Sequence, residues 1–177
     1  MKRIGGSALG LFTSLLLAGT AGVDTAHSSI VATFRQENVP VDAPFMRFSG
    51  HIDYDPAAPA TAKADLEVAT GSIDLGSDDY NSEVRKKDWL DTTAFPSATF
   101  VSSAIKPGAP GHFEATGTLT LKGKPQTLTV PVTVAKTGVA TSFDGEFVIT
   151  RSYFNIGNKE WNDVLDDKVR VKFHLVQ

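Results

Sequence analysis

The chain predicts an all-β fold, an antiparallel barrel of about eight strands with a short helical lid in one connection. Three observations lead there. Apolar and polar residues alternate with period two in run after run from His27 onward. Fifteen glycines and nine prolines punctuate those runs, which favours many short strands over long helices. One stretch, from Gly71 to Phe100, breaks the alternation and carries helix signals.

The first residues stand apart. Lys2 and Arg3 form a positive start, Ala8 to Ala18 a mostly apolar run, and Gly19, Thr20 and Ala21 a small-residue cleavage site. The apolar run is shorter than the ~20 residues a membrane-spanning helix needs. Residues 1–21 therefore read as a signal peptide and 22–177 as one domain, delivered to the periplasm or secreted. Without Lys2 and Arg3, 15 basic residues face 20 acidic ones, a net charge of −5 that argues against nucleic acid as a partner. Cysteine is absent, so disulfides, thiol catalysis, a lipobox anchor and cysteine-ligated metals are excluded.

Each element follows from its pattern. Ile30, Ala32 and Phe34 share a face against Thr33 and Arg35. Pro40 and Pro44 bracket a predicted loop, after which Met46, Phe48, Gly50, Ile52 and Tyr54 form the next apolar face. Asp55 to Pro59 is a turn, and Ala64, Leu66 and Val68 alternate with Lys63, Asp65 and Glu67. Ala98 to Ile105 alternates less cleanly, with Phe100 inward. Phe113 to Leu121 and Leu128 to Val134 flank a tight Gly123-Lys124-Pro125 turn. Pro131, on the outward face, has no amide hydrogen to give and marks an edge, a bulge or a seam. Phe143 to Ile149 and Val169 to Leu175 complete the set. Closing such a sheet on itself buries its apolar face and removes its edges, although a two-sheet sandwich shares the pattern.

In the interrupting stretch, Ser77, Asp78 and Asp79 offer a cap and first-turn acids, and Tyr80 and Val84 recur at i, i+4. Glu83 and Lys87 make an i, i+4 pair, and Trp89, Leu90, Phe95 and Pro96 follow as a bulky cluster. This reads as a lid over one barrel end, the alternative being a long surface connection.

Ala32, Gly50, Ala64, Ala115, Gly117 and Gly145 on the inward face leave room for a cavity or for interdigitated phenylalanines. A cavity would be lined by Phe34, Phe48, Ile52, Leu66, Leu119, Phe147 and Phe173, with Trp89, Phe95 and Phe100 completing the candidate ligand contacts. Arg85, Lys86, Lys87 and Arg151 are candidate headgroup contacts at the mouth, or a solvated helix end and an ion pair. Catalytic patterns are weak. His51, His112 and His174 fall on outward faces, no third ligand joins His51 and Asp53, and G-x-S-x-G, H-E-x-x-H and P-loop motifs are absent. Asp78/Asp79 and Asp166/Asp167 sit where capping and solvation explain them.

The segments DTAHSSI, GSIDLGS, KDWLDTTAFPSATF, GTLTLKGKPQTL and ITRSYFNIG, in this order, resemble the YceI-like family from about Val23 to the C-terminus. Thr25 stands where the family often has proline, and the Asn158 to Val164 loop has no clear family counterpart. The resemblance implies a lipocalin-like barrel that holds polyisoprenoids, isoprenoid quinones or similar long-chain amphiphiles in an elongated apolar pocket. It implies no catalytic set. The expectation is thus a non-enzymatic binder, storage protein or carrier, without a cofactor beyond a bound isoprenoid or quinone lipid. Brief membrane contact and a homodimer are compatible with it. A filled barrel acting as an interaction module for a membrane redox or stress-response partner is the second reading, and an unrecognised hydrolase or isomerase the third.

Overall fold

The computed structural model describes residues 21–177, so the expected signal peptide lies outside the described residues except for its last, Ala21. The strands are β1 (Ala21–Gly22), β2 (Ser29–Gln36), β3 (Val39–Pro44), β4 (Phe48–Asp53), β5 (Lys63–Ala69), β6 (Ser97–Pro107), β7 (His112–Leu121), β8 (Lys124–Thr137), β9 (Ala140–Thr150) and β10 (Lys168–Val176), with helix α1 (Asp78–Val84) between β5 and β6. They form one sheet in the order β1-β4-β5-β6-β7-β8-β9-β10-β2-β3. Every pairing is antiparallel.

Two chain segments change partners and thereby bring the ends of this sheet together. β1 pairs with β4, whereas β2, a few residues later, pairs with β10. β3 pairs with β2, and the chain runs on into β4, which pairs with β5. The result is a barrel. Ten strands replace the expected eight because the predicted loop around Pro40 and Pro44 is itself a strand, β3, and a two-residue strand precedes β2.

The stretch from Val39 to Phe48 corrects two expectations. Residues 39–44 are a strand and not a loop, since β3 lies at the end of the sheet order, where Pro40 and Pro44 cost few ladder bonds. At residues 45–47 the chain takes an extra step. Phe45 bridges to Ile73, the Met46 amide donates to the Ser72 carbonyl at 3.0 Å, and the inward phase passes from Phe45 to Phe48. Met46, expected inward, is 66% exposed.

Elsewhere the alternation holds, with identifiable breaks. The less regular β6 contains a bulge between Ser102 and Ala104. Pro131 marks a seam: β8 up to Pro131 pairs only with β7, and its pairing with β9 begins at Val132. The Tyr153 hydroxyl donates to the Pro125 carbonyl at 2.9 Å and Lys124 Nζ donates to the Tyr153 carbonyl at 2.7 Å, which ties the loop after β9 across that seam. Inside it, fully buried Phe154 packs with Leu119 and Ile149.

Of the inward glycines, Gly117 and Gly145 pair with rings on neighbouring strands, and Gly50 with Leu66. Gly145 lies opposite Phe173, and a Cβ built on it would stand 2.5 Å from the Phe173 ring and 2.7 Å from the Pro131 carbonyl oxygen. Gly117 meets the Phe100 ring in the same way, at 2.5 Å. Each ring lies over its glycine and so becomes part of the wall. We expect Gly145→Ala to destabilise the fold by about 1–3 kcal/mol, because backbone oxygen and ring both have to yield. A urea unfolding midpoint unchanged from the parent chain would contradict this wall packing.

Candidate functional site

The apolar faces of the strands meet a lumen of about 500 Å³. An apolar cavity of about 150 Å³ already holds benzene, so this one takes something several times larger. Its lining reaches from Phe113 to Leu121 along β7. At the usual rise and barrel tilt that is roughly 20 Å along the axis. The lumen is elongated.

Phe34, Ile52, Leu66, Trp89, Phe100, Leu119, Phe147 and Phe173 line it. Phe34, Phe100, Phe147 and Phe173 are only partly buried although they point inward, because they face this hollow and not one another. Two expected contacts are elsewhere. Phe48 packs against the cluster of Ile30, Ile52, Phe143 and Leu175 without bordering the lumen. Phe95 covers Gly123, whose positive φ of 72° belongs to the tight β7–β8 turn. Phe45, Ile73, Leu90 and Trp161 border the lumen and were not foreseen.

The two ends differ. At one, Tyr54 stacks edge-on against Phe113 and Phe143, with centroids 6.0 and 5.5 Å apart. At the other, exposed Gln36, Tyr80, Glu83, Trp161 and Asp166 border the lumen, against exposed Lys63 alone at the first, so this end is its main mouth. Helix α1 and the connection after it lie across the mouth, with Val84, Trp89 and Leu90 turned inward. Ser77 makes no side-chain capping bond. Instead the Asn81 side-chain oxygen accepts from the Leu75 amide at 2.7 Å, and Asn81 Nδ2 donates to Asp74 at 3.0 Å. The expected Glu83–Lys87 pair is a Glu83–Lys86 pair, because the helix ends at Val84 and the next turn tightens.

Trp89 and Trp161 pack at a tilt of 58° and a centroid distance of 5.3 Å, joining the lid to the loop after β9. Lys122 fastens both. Its Nζ donates to the Lys87 carbonyl at 2.8 Å and to the Asn155 carbonyl at 2.7 Å. Burial lowers the Lys122 pKa, and the nearby charges of Asp91 and Asp88 offset this only in part.

The candidate headgroup cations separate in the structure. Arg85, Lys86 and Lys87 do not border the lumen: Arg85 Nε donates to the Gly71 carbonyl at 2.9 Å, Lys86 pairs with Glu83, and Lys87 faces solvent. Arg151 does border it, yet is only 4% exposed and clamps the β9–β10 loop. Its guanidinium donates to the carbonyls of Asp166, Ile156 and Leu165, each at 3.1 Å, and to Asn162 Oδ1 at 3.0 Å. Four of its five N–H groups are thus committed to the loop. The ion pair with the lid's acids is replaced by backbone acceptors.

Among the described residues, no group of three or more His, Asp or Glu side chains could hold a metal ion. His174 bonds Asp144 at 2.6 Å and His27 bonds Asp24 at 2.7 Å, both near the surface. Asp167 accepts from the Ser152 amide at 2.9 Å and the Ser152 hydroxyl at 2.8 Å. Burial acts to raise its pKa, but these bonds and the charges of Arg151 and Lys168 outweigh it and hold the carboxyl below the usual aspartate range.

A family model described as YceI-like domain matches residues 22–177. A UPF0312 protein of Shewanella sp. (strain ANA-3) is 32% identical over 130 residues, 72% of this chain and 67% of that protein. Among solved structures, Burkholderia cenocepacia BcnA superposes with a TM-score of 0.85 at 46% identity, covering 88% of this chain and 99% of that one. A polyisoprenoid binding domain from Saccharophagus degradans gives a TM-score of 0.72 at 18% identity, covering 88% and 95%, and shares the fold.

Removing the Arg151 clamp leaves four acceptors to find new partners, so we expect Arg151→Ala to cost roughly 3 kcal/mol or more. Arg151→Lys should recover only part of that, because an ammonium lacks the planar fork. Urea denaturation followed by tryptophan fluorescence checks both. The contribution of Asp167 is present above the ordinary aspartate pKa and lost as pH falls through its depressed folded value. We therefore expect Asp167→Asn to flatten the acid limb of the stability curve below about pH 4, measured by denaturant midpoints against pH.

Proposed function

The chain belongs to the YceI-like family, and from that premise we propose that it binds and carries or stores a long-chain amphiphilic lipid of isoprenoid type without chemical change. The observation that carries the reading is the elongated apolar lumen that opens beneath the lid. A tail inside it leaves water along its whole length, while the polar head stays at the mouth beside Gln36, Glu83 and Asp166. Charged lining residues stand at the ends of the lumen, so its middle offers no partner for a buried charge. The polyisoprenoid-binding domain that shares this fold supports the isoprenoid class.

The energetics suffice without a covalent step. At ~0.3 kcal/mol per heavy atom, a ligand with about thirty buried carbons reaches roughly −9 kcal/mol, micromolar or tighter. In this reading a leader over residues 1–21 takes the protein to the periplasm or outside the cell. The interaction-module alternative required a filled barrel, and the lumen removes that support.

Organic extraction and mass spectrometry of the protein isolated from its native compartment should yield a long-chain isoprenoid or related lipid. Absence of any such lipid, with no binding of fluorescent prenyl or fatty probes, would overturn the proposal. Two variants locate the site. Ala115→Phe, which fills the lumen from a buried wall position, should abolish probe binding while the protein stays folded. Phe173→Asp should lose both probe binding and stability, the latter by about 3 kcal/mol or more.

A further inference from the structure

The mouth carries a feature that lipid binding inside the barrel does not need. Val39 is 62% exposed, Tyr80 62% and Trp161 36%, and all three stand around the opening. Tyr80 and Trp161 border the lumen directly, and Val39 pairs with Gln36, which borders it too and bridges to Leu165. Two further exposed large side chains lie at the same end. Met46 donates its amide to the Ser72 carbonyl in the segment that leads from β5 into the lid, and Tyr153 lies on the β9–β10 loop. Among the described residues Val101 and Val148 stand singly on the strands β6 and β9, and the opposite end offers only Val139, at the β8–β9 turn. The apolar exposure is therefore concentrated where the lumen opens and is continuous with it.

We propose that this rim is a docking surface for the headgroup–acyl boundary of a neutral or zwitterionic lipid bilayer, through which the ligand passes directly between membrane and lumen. The inference rests on the lipid-binding reading above. Trp and Tyr suit that boundary because each has an apolar body and one polar atom. The charge at the rim argues against an anionic surface. Glu83 and Asp166 border the opening and Glu37 and Glu160 adjoin Gln36 and Trp161, while the cations beside them are Lys159 and Arg35, the latter bonded to the Asn38 carbonyl. Lys86, the nearest cation of the lid cluster, is already paired with Glu83. Apolar insertion, and not counter-charge, brings the mouth to the membrane. A long-chain lipid crosses water poorly, so a mouth that enters the boundary gives its tail an apolar path.

The docking is read first without ligand. Vesicles of brominated phosphatidylcholine should quench the tryptophan fluorescence of the parent protein, and Trp161→Phe, which leaves Trp89, should lose most of that quenching. It is read next as transfer of a fluorescent prenyl probe from phosphatidylcholine vesicles. The transfer rate should rise with vesicle concentration, and Val39→Asp, outside the lumen, should slow it about fivefold while binding of the same probe from water is unchanged. Lys86→Glu with Lys87→Glu should leave the rate alone. Absence of quenching, a rate independent of vesicle concentration, or a rate that follows anionic lipid and the lysine changes would overturn the proposal. Quenching of Trp161 without binding of any probe would retain the docking surface and overturn the lipid-binding reading instead.

Discussion

Inward side chains on a barrel of this size ordinarily meet at its axis, and here glycine–ring pairing between neighbouring strands keeps them apart. Gly145 accepts the Phe173 ring and Gly117 the Phe100 ring, in contacts too close for a Cβ. A ring that lies over a neighbouring backbone cannot also project to the axis. The wall thus gains aromatic contact area while the middle stays open, and the lumen follows from that compromise. Close packing persists at its margins, in the clusters around Leu175, Ala43 and Phe154.

The two ends are built by different means. One is lined by edge-on contacts among Tyr54, Phe113 and Phe143, with exposed Lys63 beside them. The other is assembled from the lid and the β9–β10 loop, which lack a ladder and are tied by side chains to backbone carbonyls. Lys122 joins lid to loop, Arg151 holds the loop to itself, and Trp89 and Trp161 meet above them. Irregular backbone carries acceptors that strands would have satisfied, so long cationic side chains supply the donors. These cations stabilise the mouth. That use of Arg151 differs from a free headgroup contact, and it explains why a buried guanidinium stands beside an apolar lumen.

Much of this was legible in the residues. Period-two alternation located Ile30, Ile52, Leu66, Leu119, Phe147 and Phe173 on the inward face, and their strands are formed as read. The missing amide of Pro131 pointed to a seam, and β8 changes partners there. The Ser77-Asp78-Asp79 signal found α1, although Asn81 and not Ser77 makes the side-chain bonds at its start. Met46 was misplaced because alternation has no memory of an extra residue, and one step at residues 45–47 reverses every later face. The β3 strand was missed because prolines at Pro40 and Pro44 speak against a central strand and say nothing against one at the end of the order. Trp161 in the polar run NKEWND was the signal for the mouth, a large aromatic with no periodic reason to be there.

The sequence by itself determined the run of antiparallel amphipathic strands, the helical interruption between them and the apolar character of their inward face, because period and punctuation are local properties. Only the tertiary structure decided whether that face encloses a hollow, which cations are free, and where the chain opens. Those depend on distances between strands far apart in the chain: a ring reaching a glycine across a ladder, a lysine reaching two carbonyls across the mouth. No local pattern encodes such distances.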